Sequence, residues 1–304
     1  MNIAKPFLKW AGGKGQLIKQ IEENLPNKYF GNKITKYAEP FIGGGALFFH
    51  LVQKYDFEST FISDINKELI LGYTVVKKEV KKLIKILNQY QSEFRSFENI
   101  EDNEKYYFSK RTYYRETLDD FDFSQYNSDW IERAAHLIFL NKTCFNGLFR
   151  VNKKGYFNVP FSKVSNQTIC DEKNLMSVSE ILQKTQIVRG DFTASNDFID
   201  ESTFVYFDPP YRPINATSHF TDYSKFTFND EQQERLAQYL SDLNKKNAKL
   251  MLSNSDPKNH DQEDNFFDDL YSNFNIKRVD AKRSINSKGQ SRGKIKEILV
   301  RNYE

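Results

Sequence analysis

Phe204-Val205-Tyr206-Phe207-Asp208-Pro209-Pro210-Tyr211 is a short apolar, β-branched and aromatic run that stops at an acid, two prolines and a tyrosine. An unbroken apolar run of this length reads as a strand buried on both faces of a parallel sheet. The acid and the prolines then fall at its carboxyl end, the edge where open α/β sheets bind ligands. Proline has a fixed φ and no N–H, so this turn holds a carboxylate and backbone carbonyls stiffly while offering few donors. Such a loop suits a group that carries two N–H donors, an exocyclic amino group for example. Tyr211 adds a flat face on which a ring can stack.

Working back from that strand, residues 34–41 read as another. Glu39-Pro40-Phe41-Ile42-Gly43-Gly44-Gly45 closes it before a helical pattern through Ala46, Leu47, Phe48, Phe49 and Leu51. Strand, glycine turn and helix form the opening of a Rossmann-like nucleotide unit. The third glycine of a dinucleotide fingerprint would fall on Phe48, so the turn suits a ligand with an adenosine but no pyrophosphate. Phe61-Ile62-Ser63-Asp64 is a second strand ending in an acid, nineteen residues beyond Gly45. An acid so placed accepts hydrogen bonds from ribose hydroxyls. Earlier still, Phe7-Leu8-Lys9-Trp10-Ala11-Gly12-Gly13-Lys14-Gly15 is a basic glycine-rich turn leading into a helical pattern at 16–24, without the spacing of a Walker loop.

Forward of the central strand, residues 212–228 are polar and lid-like. A helix at 230–244 and a strand Lys249-Leu250-Met251-Leu252-Ser253-Asn254 follow. Runs at 274–279 and 297–303, joined by a basic loop at 282–294, read as an antiparallel hairpin on the sheet edge. Gln186-Ile187-Val188-Arg189-Gly190-Asp191-Phe192 is a further strand ahead of the centre.

Between the two halves, from about residue 66 to 140, the periodicity turns helical: Leu69, Ile70, Tyr73, Val76, Val80, Leu83, Ile84 and Leu87, later Ala134, Ala135, Ile138 and Phe139. This reads as a mainly helical insertion. It runs on into two aromatic and aliphatic stretches, 145–151 and 156–161, around a turn at 152–155, which reads as a β-hairpin with a basic tip. A two-stranded ribbon fits the major groove of DNA, where Arg150 could pair bidentately with guanine.

With 28% charged and 15% aromatic residues in 304, the composition is that of a globular chain. The net charge of +3 decides little, but residues 141–170 carry five basic side chains and no acid before Asp171, and 276–296 are also strongly basic. Such clustering is the footprint of a polyanion-binding face. Cys144 and Cys170 make neither a disulfide framework nor a metal-ligand set, and His50, His136, His219 and His260 show no ligand spacing, so no metal is expected. With no signal core and no long apolar run, the expectation is a soluble, cytoplasmic protein that avoids membranes.

Lys9-Trp10-Ala11-Gly12-Gly13-Lys14, the 39–45 turn, Ser63-Asp64-Ile65-Asn66, Phe145-Asn146-Gly147-Leu148-Phe149-Arg150 with Phe157-Asn158-Val159-Pro160-Phe161, and Asp208-Pro209-Pro210-Tyr211 together resemble the ordered motifs of the Dam family (D12 class) of DNA adenine-N6 methyltransferases. Arg283-Ser284-Ile285-Asn286 and Arg292-Gly293-Lys294 extend the likeness, which is nearest to the members that modify GATC. The resemblance implies a Rossmann-like α/β methyltransferase fold with residues 1–65 and 170–304 as the catalytic domain and 66–169 as a target-recognition domain, its hairpin at about 145–161. It implies S-adenosyl-L-methionine as cofactor, held by Trp10, Lys14, Phe41, Gly43, Gly45, Asp64, Asp191 and Asp208. It implies that Asp208, Pro209, Pro210 and Tyr211 act on a flipped adenine of double-stranded DNA. Lys9, Phe145, Asn146, Leu148, Arg150, Asn152, Pro160 and Lys163 would read or hold the site. Some relatives carry Tyr at the position of Phe145 and Gly-Arg at that of Ser162-Lys163. The enzyme is expected to work as a monomer, beside a restriction endonuclease of the same site if it belongs to such a system. The alternatives are an amino methyltransferase acting on cytosine N4, an RNA base or a protein glutamine, and a DNA-binding module without activity.

Overall fold

The run at 204–207 lies at the centre of a seven-stranded sheet. Its strands are β1 (Lys36–Glu39), β2 (Ser59–Asp64), β3 (Thr185–Arg189), β4 (Thr203–Phe207), β5 (Lys249–Ser255), β6 (Asn275–Lys282) and β7 (Lys294–Arg301), in the spatial order β3-β2-β1-β4-β5-β7-β6. This computed structural model describes residues 3–26, 33–212, 228–282 and 294–304. The lid-like stretch at 213–227 and the basic loop at 283–293, including Arg283 to Asn286, Arg292 and Gly293, lie outside the described residues.

β1 to β5 run parallel, and β7 enters antiparallel between β5 and β6. The last two strands form the edge hairpin that the sequence suggests. All five residues of β4 are buried because both faces of the sheet are covered. Phe204 and Tyr206 pack on one side with Tyr37, Ile62, Met251 and Leu299, while Val205 and Phe207 pack on the other with Ala38, Phe61, Leu250 and Val300. Each such side chain contributes about 1.5–3 kcal/mol by leaving water.

Helices α1 (Ile18–Glu22), α2 (Ala46–Lys54), α3 (Lys67–Ser96), α4 (Ile100–Glu116), α5 (Asp129–Thr143) and α6 (Glu172–Leu182) add to the first cluster; α7 (Asp230–Lys245) and α8 (Phe266–Leu270) add to the second. Two helical layers around a mostly parallel sheet give a Rossmann-like α/β fold. The chain leaves β1 toward β2 and β3, then returns to place β4 on the other side of β1. The β1–β4 crevice is therefore the topological switch point at which such sheets bind ligands.

The helical stretch shares its core with the sheet: Leu69, Tyr73, Val76, Leu83 and Leu87 of α3 and Phe139 and Leu140 of α5 belong to the same cluster as Phe204. Asn66 caps α3 by accepting the N–H groups of Glu68 and Leu69. Arg133 of α5 donates from Nε to the Glu68 carboxylate at 2.9 Å, with the Tyr114 ring 4.3 Å from its guanidinium carbon, so this buried cation is paired and stacked. Removing Glu68 would leave it unpaired, at about 3–5 kcal/mol.

Residues 145–161 double back antiparallel around the expected turn, but not as a regular two-stranded ribbon. The limbs meet only at the isolated antiparallel bridges Cys144↔Phe161 and Val151↔Phe157, and Phe145–Gly147 coil into a single 3-10 turn. Asn146 and Gly147 both take positive φ, 59° and 65°, and Pro160 has no N–H to give, so a continuous ladder cannot form. The tip does turn where expected, with the Gly155 N–H donating to the Asn152 carbonyl at 2.8 Å. Sequence periodicity also overstates β1, which ends before Pro40, and α1, which is confined to Ile18–Glu22.

Candidate active site

Four acids stand at or just beyond the carboxyl ends of neighbouring strands: Glu39 on β1, Asp64 on β2, Asp191 after β3 and Asp208 after β4. The turn after β1 is held from two sides. The Gly43 N–H donates to Asp64 Oδ2 at 3.2 Å, and the buried Tyr73 hydroxyl donates to the Gly43 carbonyl at 3.1 Å. At Gly45, φ is +72° and an added Cβ would lie 2.7 Å from the Tyr73 hydroxyl and 3.1 Å from the Phe49 ring, so no larger residue fits the entry to α2. Trp10 lies against this turn: a Cβ on Gly43 or Gly44 would come within 3.3 Å of it, and its ring stacks on Phe149 with ring centres 5.0 Å apart.

Beyond β4, Asp208 is tied through Oδ1. Lys14 Nζ lies 3.1 Å from that oxygen, and the Ser253 hydroxyl donates to it at 3.5 Å. Ser253 in turn shares a 2.7 Å hydrogen bond with the buried Tyr206 hydroxyl. Lys14 also donates to Glu297 Oε2 at 3.0 Å and to the Tyr211 hydroxyl, so one buried ammonium gathers two acids and the tyrosine of the proline turn. Gln233 of α7, fully buried, donates to the Pro210 carbonyl at 3.2 Å and fixes the turn from behind.

Burial sets the charge balance. It pushes the Asp208 carboxyl up to about 6, with Lys14 opposing the rise and Glu297 adding to it. Burial alone would lower the Lys14 ammonium, but Asp208, Tyr206 and Glu297 outweigh it and hold it above its ordinary value. Burial also pushes Glu39 up to about 8, against the hydrogen bond it accepts from Tyr37, and Asp64 up to about 6 despite N–H bonds from Asn66 and Gly43. Asp191 goes the other way: burial would raise it, yet the Thr193 hydroxyl and the Arg235 guanidinium hold it below the usual carboxylate range. The Phe41 ring leans on Phe192, next to Asp191, and on Phe228. Among the described residues no group of three His, Cys, Asp or Glu could hold a metal ion.

The recognition candidates lie in the 145–163 loop, with one tie back to the N-terminus. Phe145 is 54% exposed and its N–H donates to the Pro160 carbonyl at 2.9 Å. Asn146 and Lys163 are exposed, Leu148 is half-buried, and Arg150 is exposed with Nε donating to Asn158 Oδ1 at 2.9 Å. The Asn152 side-chain oxygen is spent inside the turn on the N–H groups of Lys154 and Tyr156. Lys9, exposed, is joined to this loop through Asn141 and Gly147.

The chain matches the family described as D12 class N6 adenine-specific DNA methyltransferase over residues 10–285. It belongs to that family. It is therefore an enzyme that methylates adenine in DNA, and the family implies a methyl donor. Among its relatives, the type II methyltransferase M.MjaIII of Methanocaldococcus jannaschii is 50% identical over 98% of this chain and 99% of its own length. The type II methyltransferase M1.LlaDCHI of Lactococcus lactis subsp. cremoris is 38% identical over 98% and 95%. The DNA adenine methylase of Escherichia coli K12 is 31% identical over 99% and 96%.

For this methyltransferase, the sequence singles out Asp208, Tyr211, Lys14, Asp64 and the glycine turn as site candidates, and the fold brings Lys14, Asp208 and Tyr211 into contact. The sequence does not single out Glu297, Ser253, Tyr206, Gln233 or Asn141. Glu297 alone leaves a trace, as an acid opening the apolar run Ile298-Leu299-Val300, where a buried carboxylate requires a partner.

Proposed function

We propose that this methyltransferase uses S-adenosyl-L-methionine to modify adenine N6 in the duplex sequence GATC, on a base flipped into the Asp208 turn. The observation that carries the reading is the stiff acceptor turn itself, with Asp208 anchored through Oδ1 and the Pro210 carbonyl already taken by Gln233. Asp208 Oδ2 and the Pro209 carbonyl would accept the two N–H bonds of the target amino group. That arrangement turns the nitrogen lone pair out of conjugation with the ring and stabilises the positive charge that develops on nitrogen. Stacking on Tyr211, whose hydroxyl Lys14 pins, offsets part of the few kcal/mol that unstacking the base costs.

The residues present fit the cofactor. The glycine turn against Trp10 presents backbone rather than side chains to a ligand, Asp64 supplies acceptors for ribose hydroxyls, Phe41 offers an apolar wall, and the carboxylates of Asp64, Asp191 and Asp208 suit a cation. Trp10, Phe41, Gly43, Gly45, Asp64 and Asp191 would hold it. When bound, S-adenosyl-L-methionine supplies an electrophilic methyl group on a cationic sulfur. Lys14, assigned by sequence to the cofactor, serves Asp208 and Tyr211 instead in this reading.

Residues 66–169 would act as the target-recognition unit, with Lys9, Phe145, Asn146, Leu148, Arg150, Pro160 and Lys163 facing DNA. The exposure of all of these side chains except the half-buried Leu148, and the shortage of acids around them, support that role. Asn152 would shape the tip rather than contact a base. A monomer in the cytoplasm suffices for this chemistry, and among the described residues no helix is long and apolar enough to cross a membrane. Partnership with an endonuclease of the same site rests on the type II names of two relatives. Plasmid DNA treated with enzyme and cofactor should become cleavable by a nuclease that cuts only methylated GATC and resistant to one that cuts only the unmethylated site. Methyl incorporation with neither change would refute GATC.

A further inference from the structure

The buried side chain of Asn141 makes three hydrogen bonds, none of them inside its own helix. On the last turn of α5, its Oδ1 accepts the Lys9 N–H at 2.8 Å, and its Nδ2 donates to the Lys9 carbonyl at 2.9 Å and to the Gly147 carbonyl at 3.0 Å. One amide thus grips both backbone groups of Lys9, as a strand partner would, and one carbonyl of the recognition loop. Both N–H donors of this buried side chain are spent on these carbonyls, and its oxygen accepts the Lys9 N–H, all without charge. Gly147 completes the joint. Its φ is +65°, and a Cβ there would come within 2.4 Å of Lys9 Cδ and 3.3 Å of the Asn141 carbonyl. Next along the chain, Trp10 stacks on Phe149, so the 9–10 segment is fastened to the loop at two successive residues.

We propose that Asn141 is a positioning residue for sequence selection: it sets the Lys9 side chain and the 145–150 loop at one fixed separation, so that both read a single DNA site. This rests on the reading of Lys9 and Arg150 as base contacts. Phosphate contacts tolerate a shifted support, whereas a directed hydrogen bond to a base edge loses its geometry when the support moves. Asn141 lies outside the Asp208 cluster, and none of its three bonds reaches the acceptor turn. Its loss should therefore blur the choice of sequence ahead of the rate of methyl transfer.

The test uses the full-length enzyme, S-adenosyl-L-methionine and a duplex library with randomised base pairs around a central adenine, sequenced for N6-methyladenine. Asn141→Ala should lose about tenfold preference at the base pairs that Lys9→Ala relaxes and also at those that Arg150→Ala relaxes. Adding Lys9→Ala to Asn141→Ala should loosen little more, because Lys9 is already adrift. A uniform drop in methylation with the wild-type sequence profile intact would overturn the proposal, as would full additivity. If Asn141→Ala loses its folded circular dichroism, Gly147→Ala decides, since its Cβ wedges the same joint: the same relaxed profile supports the proposal and an unchanged profile refutes it. Lys9→Ala alone distinguishes the two levels. If that variant keeps the wild-type profile, the reading of Lys9 as a base contact fails and the proposal with it. If it relaxes the profile while the Asn141 and Gly147 variants do not, only the proposal fails.

Discussion

Replacing Lys14 by Gln removes the ammonium 3.1 Å from Asp208 while keeping a polar side chain of similar length. At an effective dielectric of about 20, two unit charges at that separation attract by about 5 kcal/mol. The Asp208 side chain is 21% exposed, so solvent screens part of this, and Lys14's own burial opposes it. A net loss of about 1.4–4 kcal/mol remains, within the range by which a neighbouring opposite charge shifts a carboxyl. The acid limb of kcat/KM, set by Asp208 at about 6, should then move to between about 7 and about 9. With a limb at about 8, the ionised fraction at pH 7 falls from about nine tenths to about one tenth, so activity there drops about tenfold. Glu297→Gln should do the opposite, because Glu297 adds to the rise of Asp208, and its limb should lie below 6. The assay is methyl incorporation into a duplex at saturating cofactor across pH, with Tyr206, Tyr211, Ser253 and Glu39 left unchanged as the other polar neighbours of Asp208. A limb that stays put in both variants, or moves the same way in both, would refute the claim that these charges tune Asp208.

Two further outcomes follow from the geometry. Glu39 is held protonated by burial up to about 8, above its unfolded value near 4.3, so the stability it lends is full below about pH 4.3 and is lost as pH rises through 8. Glu39→Gln, which still accepts from Tyr37, should remove up to about 1.4 kcal/mol per pH unit of that decline, read from urea midpoints by tryptophan fluorescence; identical pH profiles would contradict the assignment. Arg150→Ala should relax discrimination at one base pair by about 1–3 kcal/mol in competition binding with single-substitution duplexes, whereas an equal loss on every sequence would make Arg150 a phosphate contact.

The sheet is legible because burial on both faces leaves a plain signature, the unbroken run Phe204 to Phe207, and because Asp64 and Gly45 sit at spacings dictated by a strand, a turn and a helix. The 145–161 segment is legible only in outline, for a local reason. Its aromatic and aliphatic residues have the composition of strands, but the positive φ of Asn146 and Gly147 and the missing N–H of Pro160 depend on backbone geometry that composition does not encode. The residues that hold the site in place are the least legible. Glu297 is 283 positions from the lysine it binds, and Asn141 is 132 from Lys9. Only the assembled sheet and the packed helices bring such pairs together.

The most direct measurement is the identity of the methylated product. A duplex incubated with the enzyme and labelled S-adenosyl-L-methionine, then digested to nucleosides and separated, should carry its label in N6-methyladenine alone. Asp208→Ala should give no labelled nucleoside while binding the duplex as the wild type does, since the proposed function gives Asp208 the chemistry and not the DNA face. Label in N4-methylcytosine, or undiminished N6-methyladenine from Asp208→Ala, would contradict an adenine methyltransferase that works through the Asp208 turn.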